Sequence, residues 1–296
     1  FPKKHEFRMT IKNKFGKGNH FQGATIIPNT NSKYFVISGA DKKVKKSWLY
    51  IGKFETLKKK SKTEAKLLNR IELGFENNEW HVGGLGIYGD VLAIPMESLG
   101  QEKNSSTISF YQIRVDSKLD AISLVKLKRE ISLNGFGAGA VDIISNESSK
   151  DSILKMDVAI FTGGKFKFFE KINLMVNDKI VSTTKIFATD AFRGSNVDLV
   201  KNCKGQYYLL SLHNDSFLEV FNTRKNSISL YRFDHKTIKE KTAVEKIKTK
   251  RIRCRTNCNF RAAAGVILDE NKLKLFSVKF YRSRWKQMIK GRFFTD

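Results

Sequence analysis

The sequence predicts an all-β protein: a single-domain β-propeller over residues 1–296, with five blades of four strands each. Three observations predict this fold. Small residues followed by a tight turn and apolar strands recur five times along the chain, which is typical of repeat architectures. Few segments show the 3.6-residue period of an amphipathic helix. Hydrophobic residues make up 41% of the chain, which is enough to build a packed core.

The clearest copy of the repeated unit runs from Trp80 to Glu97. Its first strand consists of small and branched residues and leads into a tight turn at Gly89-Asp90. A second apolar strand then ends at Glu97. A third strand is predicted over 107–113, where Phe, Tyr and Ile suit a half-buried pleated surface.

The other units repeat this order of strands. First strands are predicted at 23–27, 84–88, 139–144, 196–200 and 264–268, and second strands at 34–38, 91–97, 157–162, 207–212 and 273–280. Third strands are predicted at 48–54, 108–113, 166–171 and 228–233, and fourth strands at 67–73, 124–131, 181–188 and 244–252. The last unit lacks a fourth strand. We therefore expect the N-terminal segment 7–12 to supply it and close the ring, which removes free sheet edges.

A pair of β-sandwiches is the main alternative fold, since strands spaced about 8–12 residues apart suit it too. The glycines and alanines that begin each unit favour the propeller, because its innermost strands crowd around a channel. Such glycines also mark ordinary turns and bulges. Segment 58–69 has the most helix-like pattern and is predicted to form a charged loop or one helical turn.

These residues resemble a group of uncharacterised secreted β-propeller proteins. Members carry a run similar to His-Pro-Gly-Gly-Ile-Gln, then Gly-Asp-Tyr-Leu-Ala-Val-Pro-x-Glu, then a strand ending in Phe-Tyr-Asp. The counterparts are 81–86, 89–97 and 108–111, and 20–23 is similar to the His-x-Gln-Gly opening of the group. Val82 replaces the proline and Gln112 replaces the aspartate. The resemblance covers about a third of the chain; it implies the fold and carries no activity.

Charge is the outlier of the composition. Lysine and arginine number 55 against 29 acidic residues, a formal net charge of +26. Such a surface attracts anionic glycans, nucleic acid and acidic lipid headgroups, although a lysine-rich organism would produce the same excess. The lysines are spread along the chain, so nucleic-acid binding is expected to be non-specific. The densest basic run, 246–255, either binds phosphates or is a solvated edge that resists aggregation.

The sequence also bounds the compartment. No apolar run could span a bilayer. The chain begins with Phe1, which we interpret as the result of signal-peptide removal, although trimming would look the same. A secreted, periplasmic or extracellular location is therefore expected. Cys203, Cys254 and Cys258 cannot all pair within a monomer, but Cys254 and Cys258 could form a disulfide.

Topology predicts where a ligand would bind. The loops before the first strands and after the second strands open on one face, where propeller-like scaffolds gather ligand residues. The candidate catalytic residues are His20, His81 and Glu97, since imidazole titrates near neutrality and a carboxylate provides the second acid–base group. The candidate ligand-binding residues, suited to anions and flat rings, are Gln22, Trp80, Arg193, His213, Arg261 and Arg282.

Each candidate has a structural alternative. The histidines could tie neighbouring blades together, Glu97 could form an inter-blade ion pair, and Trp80 could pack as a wedge. Asp142 and Asp198 occupy the same place in two first strands. They could form a carboxylate pair of the glycosidase type, but we favour a role in orienting backbone amides between blades.

Two functions remain open at this stage. The first is an exported, monomeric binding protein for an anionic glycan, another polyanion or a protein partner. The second is a hydrolase or lyase acting on a glycan or phosphodiester. The sequence has no phosphate loop, metalloprotease motif or serine-nucleophile elbow, so we expect no cofactor and no metal. A propeller fold does not decide between the two functions.

Overall fold

The computed structural model describes residues 3–10, 19–28, 30, 33–55, 62–74, 79–98, 105–116, 118–145, 155–162, 164–176, 179–181, 186–188, 196–214, 226–236, 244–252, 260, 263–269, 272–278 and 288–295. Every helix or strand assigned within these ranges is a β-strand, which confirms the all-β prediction. Within the same ranges, no helix has the length and apolar character needed to cross a bilayer.

The strands are β1 (Lys3–Thr10), β2 (Asn19–Ile26), β3 (Tyr34–Asp41), β4 (Lys46–Glu55), β5 (Lys62–Leu73), β6 (His81–Val82), β7 (Gly86–Tyr88), β8 (Val91–Glu97), β9 (Ser105–Asp116), β10 (Ala121–Asn134), β11 (Ala140–Ser145), β12 (Lys155–Thr162), β13 (Lys165–Asn173), β14 (Lys179–Val181), β15 (Ile186–Ala188), β16 (Asn196–Lys201), β17 (Tyr207–Asn214), β18 (Asn226–Phe233), β19 (Val244–Arg251), β20 (Ala263–Asp269), β21 (Lys272–Val278) and β22 (Met288–Thr295).

These strands form four sheets in a β-propeller-like arrangement. The first has eight strands in the order β2-β3-β4-β5-β1-β22-β21-β20. The second has the order β14-β10-β9-β8-β6, with β7 also paired to β8. The third and fourth have the orders β11-β12-β13-β15 and β16-β17-β18-β19. Consecutive strands pair mainly antiparallel, as expected for short hairpin connections.

The predicted count of five blades is wrong: the described strands form four sheets, and none of them closes on itself. The cause is β1. It pairs antiparallel with β22, a strand that was not predicted, and so joins the last unit as expected of the N-terminal segment. It also pairs in parallel with β5, where Glu6–Met9 lie beside Lys62–Ala65. That second pairing joins the first and last units into one sheet.

Segment 58–69 also differs from its prediction. The structure describes it from residue 62, and from there it belongs to β5, which pairs antiparallel with β4 from Glu55↔Glu64 to Ser47↔Leu73. Its helix-like charge pattern is overridden because β4 offers a full row of backbone partners, a case of tertiary context outweighing local propensity.

The first strands of the units lie in close contact through their small residues. Gly84 donates its N–H to Gly139 O at 2.8 Å, and Val141 N–H donates to Gly84 O at 3.1 Å. A Cβ atom on Gly23 would lie 2.7 Å from Leu85 N, and one on Gly265 would meet Ala24 O. Only glycine permits backbones to approach this closely, so the predicted crowding of the small-residue strands is confirmed.

Aromatic clusters fill the space between sheets. Between the third and fourth sheets, the ring centroids of Phe166 and Phe233 lie 4.9 Å apart in an edge-to-face arrangement. Within the eight-stranded sheet, Phe35 of β3 packs against Phe276 of β21 with centroids 5.2 Å apart. The first contact holds the third and fourth sheets together, and the second joins the two halves of the eight-stranded sheet.

Candidate functional site

The three candidate catalytic side chains lie together where the first and second sheets meet. His81 on β6 is the cross-strand neighbour of Glu97 on β8, and its Nδ1 lies 2.9 Å from Glu97 Oε1. Its Nε2 lies 3.2 Å from His20 Nε2 on β2. Gln22, also on β2, places its Nε2 2.8 Å from the same His81 nitrogen. Three side chains predicted from sequence thus converge on the imidazole of a fourth, His81.

A β-bulge helps β2 reach this cluster. The register between β2 and β3 shifts between Phe21 and Gly23, so Gln22 has no cross-strand partner. Bulges bend a strand and re-aim its side chains. His20 and Gln22 are thereby both brought to His81 from a neighbouring sheet.

Burial and hydrogen bonding set the chemistry of His81. The side chains of His81 and Glu97 are 11% and 12% exposed. An ionised carboxylate can only accept, so Nδ1 of His81 carries the proton of this bond and Nε2 of the neutral ring presents a lone pair. The imidazole is oriented by a carboxylate at one nitrogen and open to polar partners at the other.

Gly137 and Thr162 complete the surroundings of the carboxylate, and the sequence analysis did not single them out. A Cβ atom on Gly137 would lie 2.7 Å from Glu97 Oε2 and 3.2 Å from Thr162 Oγ1. A larger residue at 137 would therefore displace the carboxylate from His81. The glycine-rich run 135–139 was the available signal for this close approach.

The aromatic residues that precede the first strands are buried wedges. Trp80, Phe136 and Phe260 are 8%, 5% and 0% exposed. The backbone of each forms a hydrogen bond with a polar side chain from the preceding unit. That side chain belongs to the first or second residue of the unit's third strand. The bonds are Ser47 Oγ to Trp80 O, Ser106 Oγ to Phe136 O at 2.7 Å, and Phe260 N–H to Asn226 Oδ1 at 3.2 Å. This repeated device supports the packing interpretation of Trp80, whose ring also meets His81 edge-on.

Of the remaining predicted ligand residues, the structure describes His213. His213 lies on β17 in the fourth sheet, where its Nε2 is 3.0 Å from Ser227 Oγ of β18. Arg193, Arg261 and Arg282 lie outside the described residues, so their predicted role stays a prediction.

Metal-binding clusters and free thiols are two further kinds of reactive site. The described part of the chain has no group of three or more His, Cys, Asp and Glu side chains placed to hold a metal ion. Cys203 is a free, exposed thiol. Cys254 and Cys258 lie outside the described residues, so their disulfide stays a prediction.

The two inner-strand aspartates join neighbouring units through backbone amides. Leu199 N–H donates to Asp142 Oδ2, and Val266 N–H donates to Asp198 Oδ1 at 3.2 Å. Each carboxylate thus accepts from the following first strand, as we favoured from the sequence. Both line a cavity of about 560 Å³ near the Gly89 turn. Burial raises the pKa of Asp142 to about 7, and burial together with the Asp142 charge raises that of Asp198.

The raised pKa of Asp142 makes stability pH-dependent. Between the unfolded value of about 3.9 and the folded value of about 7, only the folded state holds the proton. Stability should therefore be highest at low pH in this window and fall as pH rises, by about 1.4 kcal/mol per pH unit for this group. Asp142→Asn should flatten the slope measured by urea unfolding from pH 4 to 8. An unchanged slope would contradict the assignment.

Comparisons with known proteins leave the function to be argued from these residues. No protein-family model matches the chain, and no curated protein matches it. Among solved structures, a hypothetical protein from Leishmania major is similar over 97% of this chain and 89% of that chain, with 8% sequence identity and a TM-score of 0.49. The resemblance to secreted propeller proteins therefore stays a prediction.

Proposed function

We propose that the chain is a binding protein for an anionic glycan or another polyanion, engaged through its basic surface. The observation that carries the proposal is β19, the outermost strand of the fourth sheet. Every residue from Glu245 to Arg251 is exposed, and four of the seven are cationic. A net charge of +26 adds long-range attraction for any polyanion.

A bulge spreads the cations of β19 over both faces of the strand. Tyr231 pairs with Lys246 and Leu230 with Lys248, so Ile247 is an extra residue. Without the bulge, Lys246, Lys248 and Lys250 would share one face. With it, Lys246 lies on the face opposite Lys248 and Lys250. An extended polyanion lying along this edge would meet ammonium groups on either side.

Edge protection is the competing explanation of this strand, because lysines also deter edge-to-edge aggregation. The two explanations differ in what loss of the charge does. Glutamates also deter edge pairing, so a purely protective edge predicts unchanged ligand affinity when they replace the lysines, whereas a binding edge predicts a loss of affinity.

The test replaces Lys246, Lys248 and Lys250 by Glu. Binding to heparin, and separately to polyphosphate, should fall at least tenfold, and the slope of log K against log salt should decrease by about 3. The matched control reverses three exposed lysines of the β3–β4 turn, Lys42, Lys43 and Lys45. Equal loss in the control would show that β19 has no special role. No binding of wild type to either polyanion at low salt would contradict the proposal.

A second candidate function, a hydrolase or lyase for a glycan or phosphodiester, is favoured by one distance. Glu97 Oε1 lies 2.9 Å from His81 Nδ1, the arrangement in which a carboxylate orients an imidazole for proton transfer at Nε2. On any glycoside or phosphodiester that wild type cleaves, His81→Ala should lower turnover at least about a hundredfold. His235→Ala, in the turn after β18, is the control. Unchanged turnover in His81→Ala with an intact fold would remove this assignment.

A further inference from the structure

Two imidazole nitrogens from different sheets face each other at the candidate site. His20 Nε2 and His81 Nε2 are 3.2 Å apart, with ring centroids 5.4 Å apart. Two histidines bound to one tetrahedral ion through N–metal bonds of about 2.0–2.1 Å hold their nitrogens about 3.3 Å apart. The observed spacing fits two ligands of a single ion as well as it fits an N–H···N hydrogen bond.

Counting protons and lone pairs also favours an ion. With Nδ1–H directed at Glu97, Nε2 of neutral His81 has one lone pair. That lone pair faces both His20 Nε2 at 3.2 Å and the Gln22 amide at 2.8 Å. One lone pair accepts one good hydrogen bond, so His20 and Gln22 compete for it when His81 is neutral. A cation placed between them uses a lone pair from each of the three.

The partners of these residues match the surroundings of a metal-binding histidine. A ligating imidazole commonly donates its other N–H to a carboxylate, which fixes the tautomer and raises the basicity of the ligating nitrogen. Glu97 occupies that position beside His81. Rotating the Gln22 amide by half a turn exchanges its nitrogen and oxygen. An oxygen ligand then faces the point where the two imidazoles converge.

We propose that His20, His81 and Gln22 bind one divalent first-row transition-metal ion of the zinc, cobalt and nickel class, with Glu97 positioning His81. Two imidazoles and one amide oxygen suit these borderline ions, whereas magnesium and calcium prefer all-oxygen sites. Solvent would fill the remaining coordination position, since His20 and Gln22 are only half-buried. The metal site is separate from β19, so the result of the polyanion-binding test does not decide whether the metal binds. It excludes proton transfer by His81 Nε2, the role given to that atom in the second candidate function.

The test titrates Zn²⁺ and Co²⁺ into the full-length chain after removal of metals with EDTA and alkylation of the thiols, which eliminates cysteine ligands. Calorimetry should give one equivalent of tight binding, and Co²⁺ should develop visible absorption bands. His20→Ala and His81→Ala should each abolish the one-equivalent step. Glu97→Gln should weaken it about 10–100-fold. The controls His213→Ala and His235→Ala should retain it.

A gain-of-ligand variant keeps the test decisive if the alanine variants fold poorly. Gln22→His supplies a third imidazole at the same point and should bind Zn²⁺ at least tenfold more tightly than wild type. Three results would each overturn the proposal. They are no one-equivalent binding at 100 µM metal, undiminished binding in the His20→Ala/His81→Ala double variant, and no gain from Gln22→His.

Discussion

Gly83→Ala should unfold at a temperature about 6–12 °C below that of wild type, a loss of about 3 kcal/mol or more. The added Cβ would meet Gly139 O and would lie 2.7 Å from Ala138 O. Both oxygens belong to a backbone that cannot retreat freely, because Gly139 O accepts the Gly84 N–H at 2.8 Å. Relieving the clash would separate the second and third sheets where they meet.

Gly74→Ala is the matched control for this prediction. No atom lies within 4 Å of the Cβ position of Gly74, so the same methyl group should change stability by less than about 0.5 kcal/mol. Thermal unfolding followed by circular dichroism measures both variants. Equal unfolding temperatures for the two variants would show that the close approach at Gly83 does not hold the sheets together.

The strands were predictable because alternation, turns and small residues are local signals. The Gly89-Asp90 turn and the apolar run before Glu97 place β7 and β8 without knowledge of the rest of the chain. The number of sheets was not predictable in this way. It depends on the parallel pairing of β1 with β5, a contact between distant segments that no local pattern encodes.

Much of the candidate site was also predictable, because the repeat fixes which strand ends share a face. That argument brought His20, Gln22, His81 and Glu97 together before any distance was known. It left two roles open for Trp80, a ligand contact and a packed wedge, and the structure shows the side chain buried. Both roles stayed open because the wedge depends on Ser47 at the start of a third strand, and a serine there resembles any other polar strand residue. The bulge at Ile247 was likewise invisible, since an extra residue leaves no mark in composition.

Asp157→Ala should be the most destabilising single substitution in the third sheet, at about 3–5 kcal/mol. Its carboxylate is fully buried. It accepts hydrogen bonds from the Tyr207 hydroxyl of the fourth sheet and from the Lys171 N–H at 2.9 Å. Lys201 Nζ lies 3.8 Å from the same carboxylate. Lys171 has a φ of 53°, a left-handed conformation that a lysine rarely adopts without support. Removing the carboxylate would leave the buried Tyr207 hydroxyl and the part-buried Lys171 N–H without this acceptor and release that constraint.

The register between β12 and β13 shifts around Asp157, which forms a bulge at Lys171. Tyr207→Phe separates the contribution of the link between sheets from that of this bulge. Burial, followed by the hydrogen bond to Asp157, raises the pKa of the Tyr207 hydroxyl, so Tyr207 stays a neutral donor near neutral pH. Losing the hydroxyl alone should destabilise the protein by about 1–2 kcal/mol, as for a hydrogen bond to a charged group. Urea unfolding of both single variants and the double variant completes a double-mutant cycle. A coupling energy near zero would mean that Asp157 stabilises the protein through Lys171 alone. Aromatic packing between Phe166 and Phe233 would then hold the third and fourth sheets together without this hydrogen bond.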